Sequence, residues 1–345
     1  MLDFYKNKKI LITGSSGFVG SWLTLTLNEI GATLYGIGLE PNTSPSLFKL
    51  LKLEDKINQK YIDICDIKKL DKAIKDISPD IVFHLAAQPL VRESYSRIVE
   101  TFNTNVMGTL NIFESCKRLD TKINVVCITT DKCYENDEYG ERFKESDPLG
   151  GKDPYSASKA CTEIVTKSHA LSFKKLKLCT ARAGNIIGGG DWAKDRIITD
   201  IVESINNKED ILIRSPKAIR PWQHVIDVVN GYLKLGIYNE DKEEVFNSFN
   251  FGPKEENEID VITLTEKFLS NYKSNRSQIV LDNDENLPES QILRLDSSKS
   301  KKILDWKPIM NIDNTIKETA LWYEAFYSGK DVHELTKDQI RNYLD

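Results

Sequence analysis

The chain has 345 residues, room for one large or two modest domains at about 150 residues each, and needs no metal or disulfide staple to hold a core. Its 47 basic and 52 acidic side chains leave a net charge of −5, which argues against a nucleic-acid groove or a membrane-surface patch. Cys65, Cys116, Cys127, Cys133, Cys161 and Cys179 form no C-x-x-C pair and, with only four histidines, no zinc cluster, so no metal is expected and the thiols read as reduced, cytosolic ones. No apolar run approaches the ~18 residues that span a bilayer. The opening KNKKILI imitates a signal peptide's basic region, but its apolar stretch ends at Thr13-Gly14.

In chain order, the predicted strands are Lys9–Thr13, Thr33–Ile37, Tyr61–Ile64, Ile81–Leu85, Val125–Thr129 and Leu176–Ala181. Their apolar runs are continuous, as suits strands buried on both faces of a parallel sheet. Between them lie helical patterns. Phe18, Val19, Trp22, Leu23, Leu27 and Ile30 mark one, closed by Gly31, and Ile67, Leu70, Ile74 and Ile77 mark another, stopped by Pro79. Repeated strand–helix units imply right-handed crossovers and an α/β fold, a Rossmann-like doubly wound parallel sheet. Past Gly184 the rhythm loosens into GGGDW (188–192), RSPKAIRPW (214–222) and two later helical patterns, Val261–Tyr272 and Thr315–Phe326. The expected division is a cofactor-binding domain over 1–184 and a smaller substrate lobe over 185–345, with the chain free to cross between them.

TGSSGFVG (13–20) follows the first strand and opens the first helix, placing Gly14, Gly17 and Gly20, with Phe18 and Val19, where a backbone approaches a pyrophosphate at a helix N-terminus. An ordinary strand–helix turn is the alternative. Glu40, about 20 residues on, suits a ribose 2′-hydroxyl and repels a 2′-phosphate, so NAD is expected rather than NADP, with a solvated loop carboxylate as the alternative. YSASK (155–159) sits in a helix starting near Asp153-Pro154, with Tyr155 and Lys159 on one face. An ammonium near the phenol favours the phenolate, so Lys159 is expected to lower the Tyr155 pKa. TTDKCYEN (129–136) places Thr130, Asp131 and Lys132 at the carboxyl edge of the sheet, where chemistry occurs in such folds, unless the acid and base are a solvated ion pair.

These features together resemble the extended short-chain dehydrogenase/reductases: the Gly-x-x-Gly-x-x-Gly loop, Asp63-Ile64, HLAAQ (84–88), TNVMGT (104–109) and the Tyr155/Lys159 pair. The resemblance covers essentially the whole chain. It implies adenine near Asp63 and Ile64, the cofactor beside Leu85, Ala86 and Ala87, a structural role for Asn105, and a homo-oligomer, dimer or tetramer. His84 reads as a packed strand-end residue. Within the family, DKCYEN, DPLGGKDPYSASK, RAGNIIGGGDW and RPWQHV are similar to the CDP-glucose branch of the sugar-nucleotide 4,6-dehydratases. Lys132 departs from the Thr-Asp-Glu of most other branches.

That resemblance implies a lyase with a nucleotide-sugar substrate. Tyr155 would take the 4-hydroxyl proton, Asp131 would protonate the departing 6-hydroxyl, and Thr130 would bond the 4-oxygen. Either Lys132 or Glu135 would handle the C5 proton. Asn185 and Arg220 resemble diphosphate-binding residues. Arg214 and His224 are further candidates at that end, with packing the alternative for His224. Gly188–Gly190 reads either as a loop that closes over the nucleotide or as a simple turn. Two other readings remain: a 4-epimerase, which needs no Asp131-Lys132 pair, and a dinucleotide-sensing protein, which needs neither Tyr155 nor Lys159.

Overall fold

The computed structural model describes residues 2–242, 245–255, 258–273, 277–281 and 290–344. Its centre is a parallel sheet of seven strands: β1 (Lys9–Thr13), β2 (Thr33–Gly38), β3 (Asn58–Tyr61), β4 (Ile81–His84), β5 (Asn124–Ile128), β6 (Lys177–Ala183) and β7 (Phe246–Phe251). The spatial order is β3-β2-β1-β4-β5-β6-β7, so the chain reverses direction across the sheet between β1 and β4. The continuous apolar runs have the expected cause. Ile10 and Ile12 of β1 enter the apolar layer on one face while Leu11 enters the layer on the other, and all three are fully buried.

Helices cover both faces. α1 (Phe18–Ile30) and α5 (Val225–Asp241) share one layer through Trp22, Leu25, Val229 and Tyr232. α2 (Ile67–Ile77), α3 (Thr109–Lys117) and α4 (Pro154–Phe173) supply Leu70, Ile74, Phe113 and Ala170 to the other. Gly31 ends α1 in the left-handed conformation at φ 86°, closing it where expected.

Two elements depart from the reading of the sequence. The third strand runs over Asn58–Tyr61 rather than Tyr61–Ile64, so Asp63 and Ile64 follow it. It is the edge strand, wetted on one side, and its polar NQKY carries none of the apolar signal that marks a central strand. The second is β7, which lies beyond residue 184 yet pairs in register with β6 from Phe246↔Leu178 to Phe251↔Ala183. The chain therefore crosses back into the sheet after first leaving it. Over the carboxyl edge sit short strand pairs, Ile186–Ile187 with Gln223–His224 and Ile219–Arg220 with Ile259–Asp260, and the helices Ile197–Asn207 and Val261–Asn271. No helix among the described residues is long and apolar enough to cross a membrane.

Candidate active site

The carboxyl ends of β1, β2, β4, β5 and β6 open onto a cavity of about 1370 Å³. Ligands collect at this edge because parallel strands end together there and the loops after them splay apart where strand order reverses. The volume exceeds the 300–1,000 Å³ usual for one small ligand, leaving room for two.

One half of the cavity is lined by Gly14, Gly17, Phe18, Val19, Gly20, Glu40, Asp63, Ile64, Leu85, Ala86 and Ala87. Gly14 has φ +72°, and a Cβ there would fall 2.8 Å from the Ala86 nitrogen. A Cβ on Gly20 would fall 2.1 Å from the Gly14 oxygen. No other residue fits these two positions, which bring α1 against the turn and leave its N-terminus facing the cavity. The cradle suits a dinucleotide pyrophosphate. Glu40 stands exposed at the rim just past β2. Asn105 is buried and locks the loop after β4 to α4: its Oδ1 accepts from Gln88 N (2.8 Å) and its Nδ2 donates to Ser158 Oγ (2.8 Å). His84 is held by two hydroxyls. Thr109 Oγ1 donates to the Asn105 carbonyl at 2.6 Å, so it accepts from His84 Nε2–H, and His84 Nδ1 accepts from Thr13. The imidazole is neutral, its pKa driven down to about 3 by burial.

The other half holds the reactive constellation. α4 begins at Asp153, whose carboxylate caps the Ser156 nitrogen (2.9 Å), with Pro154 next. Its first turns carry Tyr155 and Lys159 into the cavity lining, opposite Thr130, Asp131 and Lys132 in the tight turn after β5. Asp131 is 1% exposed. Its Oδ1 accepts from Thr130 Oγ1 (3.0 Å) and lies 3.9 Å from Lys132 Nζ, while Oδ2 has no hydrogen-bond partner among the described residues. Burial raises the Asp131 pKa against the pull of Lys132, Thr130 and Arg220, which favours the protonated form that a general acid needs. Lys132 Nζ also reaches Asn185 Oδ1 at 3.5 Å.

Tyr155 corrects one expectation. Its pKa is pushed up to about 12, first by burial, with the Thr130 hydroxyl pulling down and Asp131 pushing up further. Lys159 does not offset this, because its ammonium donates to the Ile128 carbonyl at 3.1 Å and is itself desolvated, which lowers its own pKa. The buried phenol is a weak acid.

Asn185, Arg214 and Arg220 line the far end of the cavity. Arg220 is 3% exposed, and Arg214 is engaged by Asp195 at 2.8 Å. Two candidates land elsewhere. His224 is fully buried outside the lining, accepting from Ile226 N (3.3 Å) as the cap of α5 and meeting Trp22 edge-on. It is a packing residue. Glu135 is exposed outside the cavity, its Cβ packed 2.9 Å from where a Cβ on Gly150 would sit. The glycine loop is no lid, since a Cβ on Gly189 would strike Trp322 at 2.0 Å and the Gly189 carbonyl accepts from Trp22 Nε1 (3.0 Å). The sequence reading missed Arg196, which lines the cavity, pairs with Asp191 at 2.6 Å and bears on Tyr155. Its signal was present in GGGDWAKDR, the loop already singled out for its glycines.

A family model described as GDP-mannose 4,6 dehydratase matches residues 11–319. The chain belongs to the GDP-mannose 4,6 dehydratase family. Among relatives of this family member, the CDP-glucose 4,6-dehydratase of Salmonella typhimurium is 40% identical over 352 residues, covering 99% of this chain and 98% of that protein. The human dTDP-D-glucose 4,6-dehydratase is 27% identical, covering 95% of this chain and 93% of that one. Among solved structures, a dTDP-glucose 4,6-dehydratase from Bacillus anthracis in complex with NAD superposes with a TM-score of 0.77 at 20% identity, covering 95% of this chain and 99% of that one. At that identity the likeness concerns the fold.

Proposed function

We propose that the chain is an NAD-dependent CDP-glucose 4,6-dehydratase, converting CDP-glucose to CDP-4-keto-6-deoxyglucose and water. The observation that carries the reading is the buried, half-unpartnered Asp131 carboxyl, set between Thr130 and Lys132 and sharing a cavity with Tyr155. An epimerase needs no acid to expel a hydroxyl. The choice of CDP-glucose rests on the 40% identity to the Salmonella protein.

In this reading Gly14, Gly17, Phe18, Val19 and Gly20 hold the pyrophosphate, Asp63 and Ile64 flank the adenine, Glu40 takes the ribose hydroxyls, and Leu85–Ala87 with Lys159 flank the nicotinamide end. NAD, when bound, supplies a cationic acceptor for the C4 hydride and later the hydride that enters C6. Tyr155 takes the proton of the 4-hydroxyl as C4 is oxidised, with Thr130 bonding the 4-oxygen. The ketone acidifies C5–H. Lys132, as a neutral amine, takes that proton as the enolate forms. Asp131 gives its proton to the 6-hydroxyl, which leaves as water. Asn185, Arg214 and Arg220 hold the diphosphate, a geometry for which guanidinium groups are suited. Residues 1–184 then supply cofactor and catalysis and 185–345 the nucleotide end, with β7 as the exception.

The same proposal places the enzyme in the cytosol, at a step of deoxysugar biosynthesis. Ile98, Val99, Ile164, Leu171 and Phe173 are half or more exposed on the short helix Ile98–Phe102 and on α4. We assign that face to a second copy of the chain, so sedimentation should return a dimer or larger, and a monomer would refute it. To test the activity, the protein is incubated with CDP-, dTDP-, UDP- and GDP-glucose. The expected result is loss of one water from CDP-glucose alone; isomerisation without that loss would replace the dehydratase with an epimerase.

A further inference from the structure

α4 carries a third polar residue in phase with its first two. Tyr155, Lys159 and Glu163 recur every four residues and so share a face, one turn apart. The first two line the cavity; Glu163 lies a turn deeper, 1% exposed. Three donors converge on its carboxylate. Thr129 Oγ1 donates to Oε1, and Thr180 Oγ1 (2.8 Å) and Arg182 Nη2 (2.7 Å) donate to Oε2. Arg182, also buried, extends its other arm to Tyr134 OH (2.8 Å), which donates to Asn250 Oδ1 (2.6 Å).

The arrangement brackets the reactive turn. Thr129 immediately precedes Thr130-Asp131-Lys132, and Tyr134 closes the short helical turn Asp131–Cys133. Glu163 and Arg182 hold one end each. Lys159 is tied into the same unit by its bond to the Ile128 carbonyl, one residue before Thr129. We propose that Glu163 is a positioning residue of the dehydratase site, the buried counter-charge of Lys159 and the anchor that fixes the Thr130–Lys132 turn against α4. The inference rests on the proposed function for its catalytic meaning, and for its charge pairing on the one-turn spacing of Lys159 and Glu163 along α4 together with the pull of the Glu163 carboxylate on the lysine.

The groups bearing on Lys159 are Cys127 of β5, Cys133 of the turn, His84 of β4 and Glu163. The two thiols are pushed far up by burial and the imidazole is neutral, which leaves Glu163 as the carboxylate among them. Burial drives the Lys159 proton off and Glu163 holds it on. Removing the carboxylate therefore moves the lysine titration to lower pH.

Glu163→Gln alone leaves Arg182 buried without its partner and risks misfolding, whereas replacing both members of a buried pair is often tolerated. The experiment uses the full-length chain labelled at lysine Cε with ¹³C, with the Lys159 resonance assigned by its loss in Lys159→Met. Its titration midpoint is compared among wild type, Arg182→Met, Glu163→Gln and the double variant Glu163→Gln/Arg182→Met. The expected result is a midpoint lowered by about one pH unit or more wherever Glu163 is replaced, equivalent to a tenfold loss of the ammonium above that midpoint, and unmoved in Arg182→Met. The alkaline limb of turnover on CDP-glucose moves with it. A midpoint that stays in place in a folded double variant overturns the proposal, because a purely structural brace would change stability and leave the titration alone. If the midpoint moves while wild type leaves CDP-glucose intact, the charge pairing stands and the substrate reading fails.

Discussion

Replacing Lys132 with methionine separates the two halves of the proposed reaction. Lys132 Nζ stands 3.9 Å from the Asp131 carboxyl, and the lysine side chain is 21% exposed. At that distance and an effective dielectric of about 20, the attraction is on the order of 4 kcal/mol. Lys132 is the leading influence holding the buried Asp131 down, so Lys132→Met raises its pKa further and favours the protonated acid. The general acid stays loaded and Tyr155 is untouched. What disappears is the group serving C5, so turnover falls by about 10²–10⁴ while C4 oxidation survives. On rapid mixing with CDP-glucose, the variant should accumulate enzyme-bound NADH and stall. In deuterated solvent it should fail to exchange the C5 proton. Absence of any NADH signal would refute the assignment by making Lys132 necessary for binding or oxidation, and normal C5 exchange would place the base elsewhere.

Tyr155→Phe removes one oxygen while leaving the ring packed, so nucleotide-sugar binding should persist by calorimetry while the first hydride transfer is lost; near wild-type turnover would remove Tyr155 from its role. In the ligand-free chain the same substitution should delete a phenol that ionises at about 12 in the ultraviolet difference titration. Glu40→Ser removes the charge that repels a 2′-phosphate, so the preference of the apoprotein for NAD over NADP, measured by binding, should shrink by about tenfold or more, and an unchanged ratio would count Glu40 as a rim carboxylate. His84 and His224 are buried neutral, each with its pKa lowered to about 3. A depressed folded-state pKa means stability that is full above the unfolded value of about 6.5 and lost as pH falls towards 3, so each histidine should cost about 2 kcal/mol by pH 5. Denaturant titrations of His224→Gln and wild type across that window should converge as pH falls; parallel curves would contradict the buried-neutral assignment.

How much of this was legible depends on which forces leave a local trace. Central strands did, because Ile10, Leu11 and Ile12 must all be apolar when both sheet faces are covered. The edge strand β3 did not, because one wet side accepts Asn58, Gln59 and Lys60. β7 hid behind its polar residues: Asn250 looks like loop chemistry until its side chain is seen bonded to Phe143 O (2.8 Å). At the site, Tyr155 with Lys159 and Thr130-Asp131-Lys132 were readable because each group lies within a single helix turn or loop. The Glu163–Arg182 pair was not, since it spans a helix and a strand, and neither was Arg196, whose place beside Tyr155 is tertiary. Burial misled most at Tyr155, where spacing suggested a lowered pKa and desolvation raised it.

The central claim is an internal hydride transfer from C4 to C6, and tracing that hydrogen tests it most directly. The purified enzyme, without added cofactor beyond a stoichiometric amount, is given CDP-glucose deuterated at C4, and the product is read by mass and NMR. The account predicts loss of one water, deuterium retained at C6, and no net NADH, with the cofactor staying bound between turnovers. Deuterium appearing in free NADH, or a product that keeps its 6-hydroxyl, would contradict it.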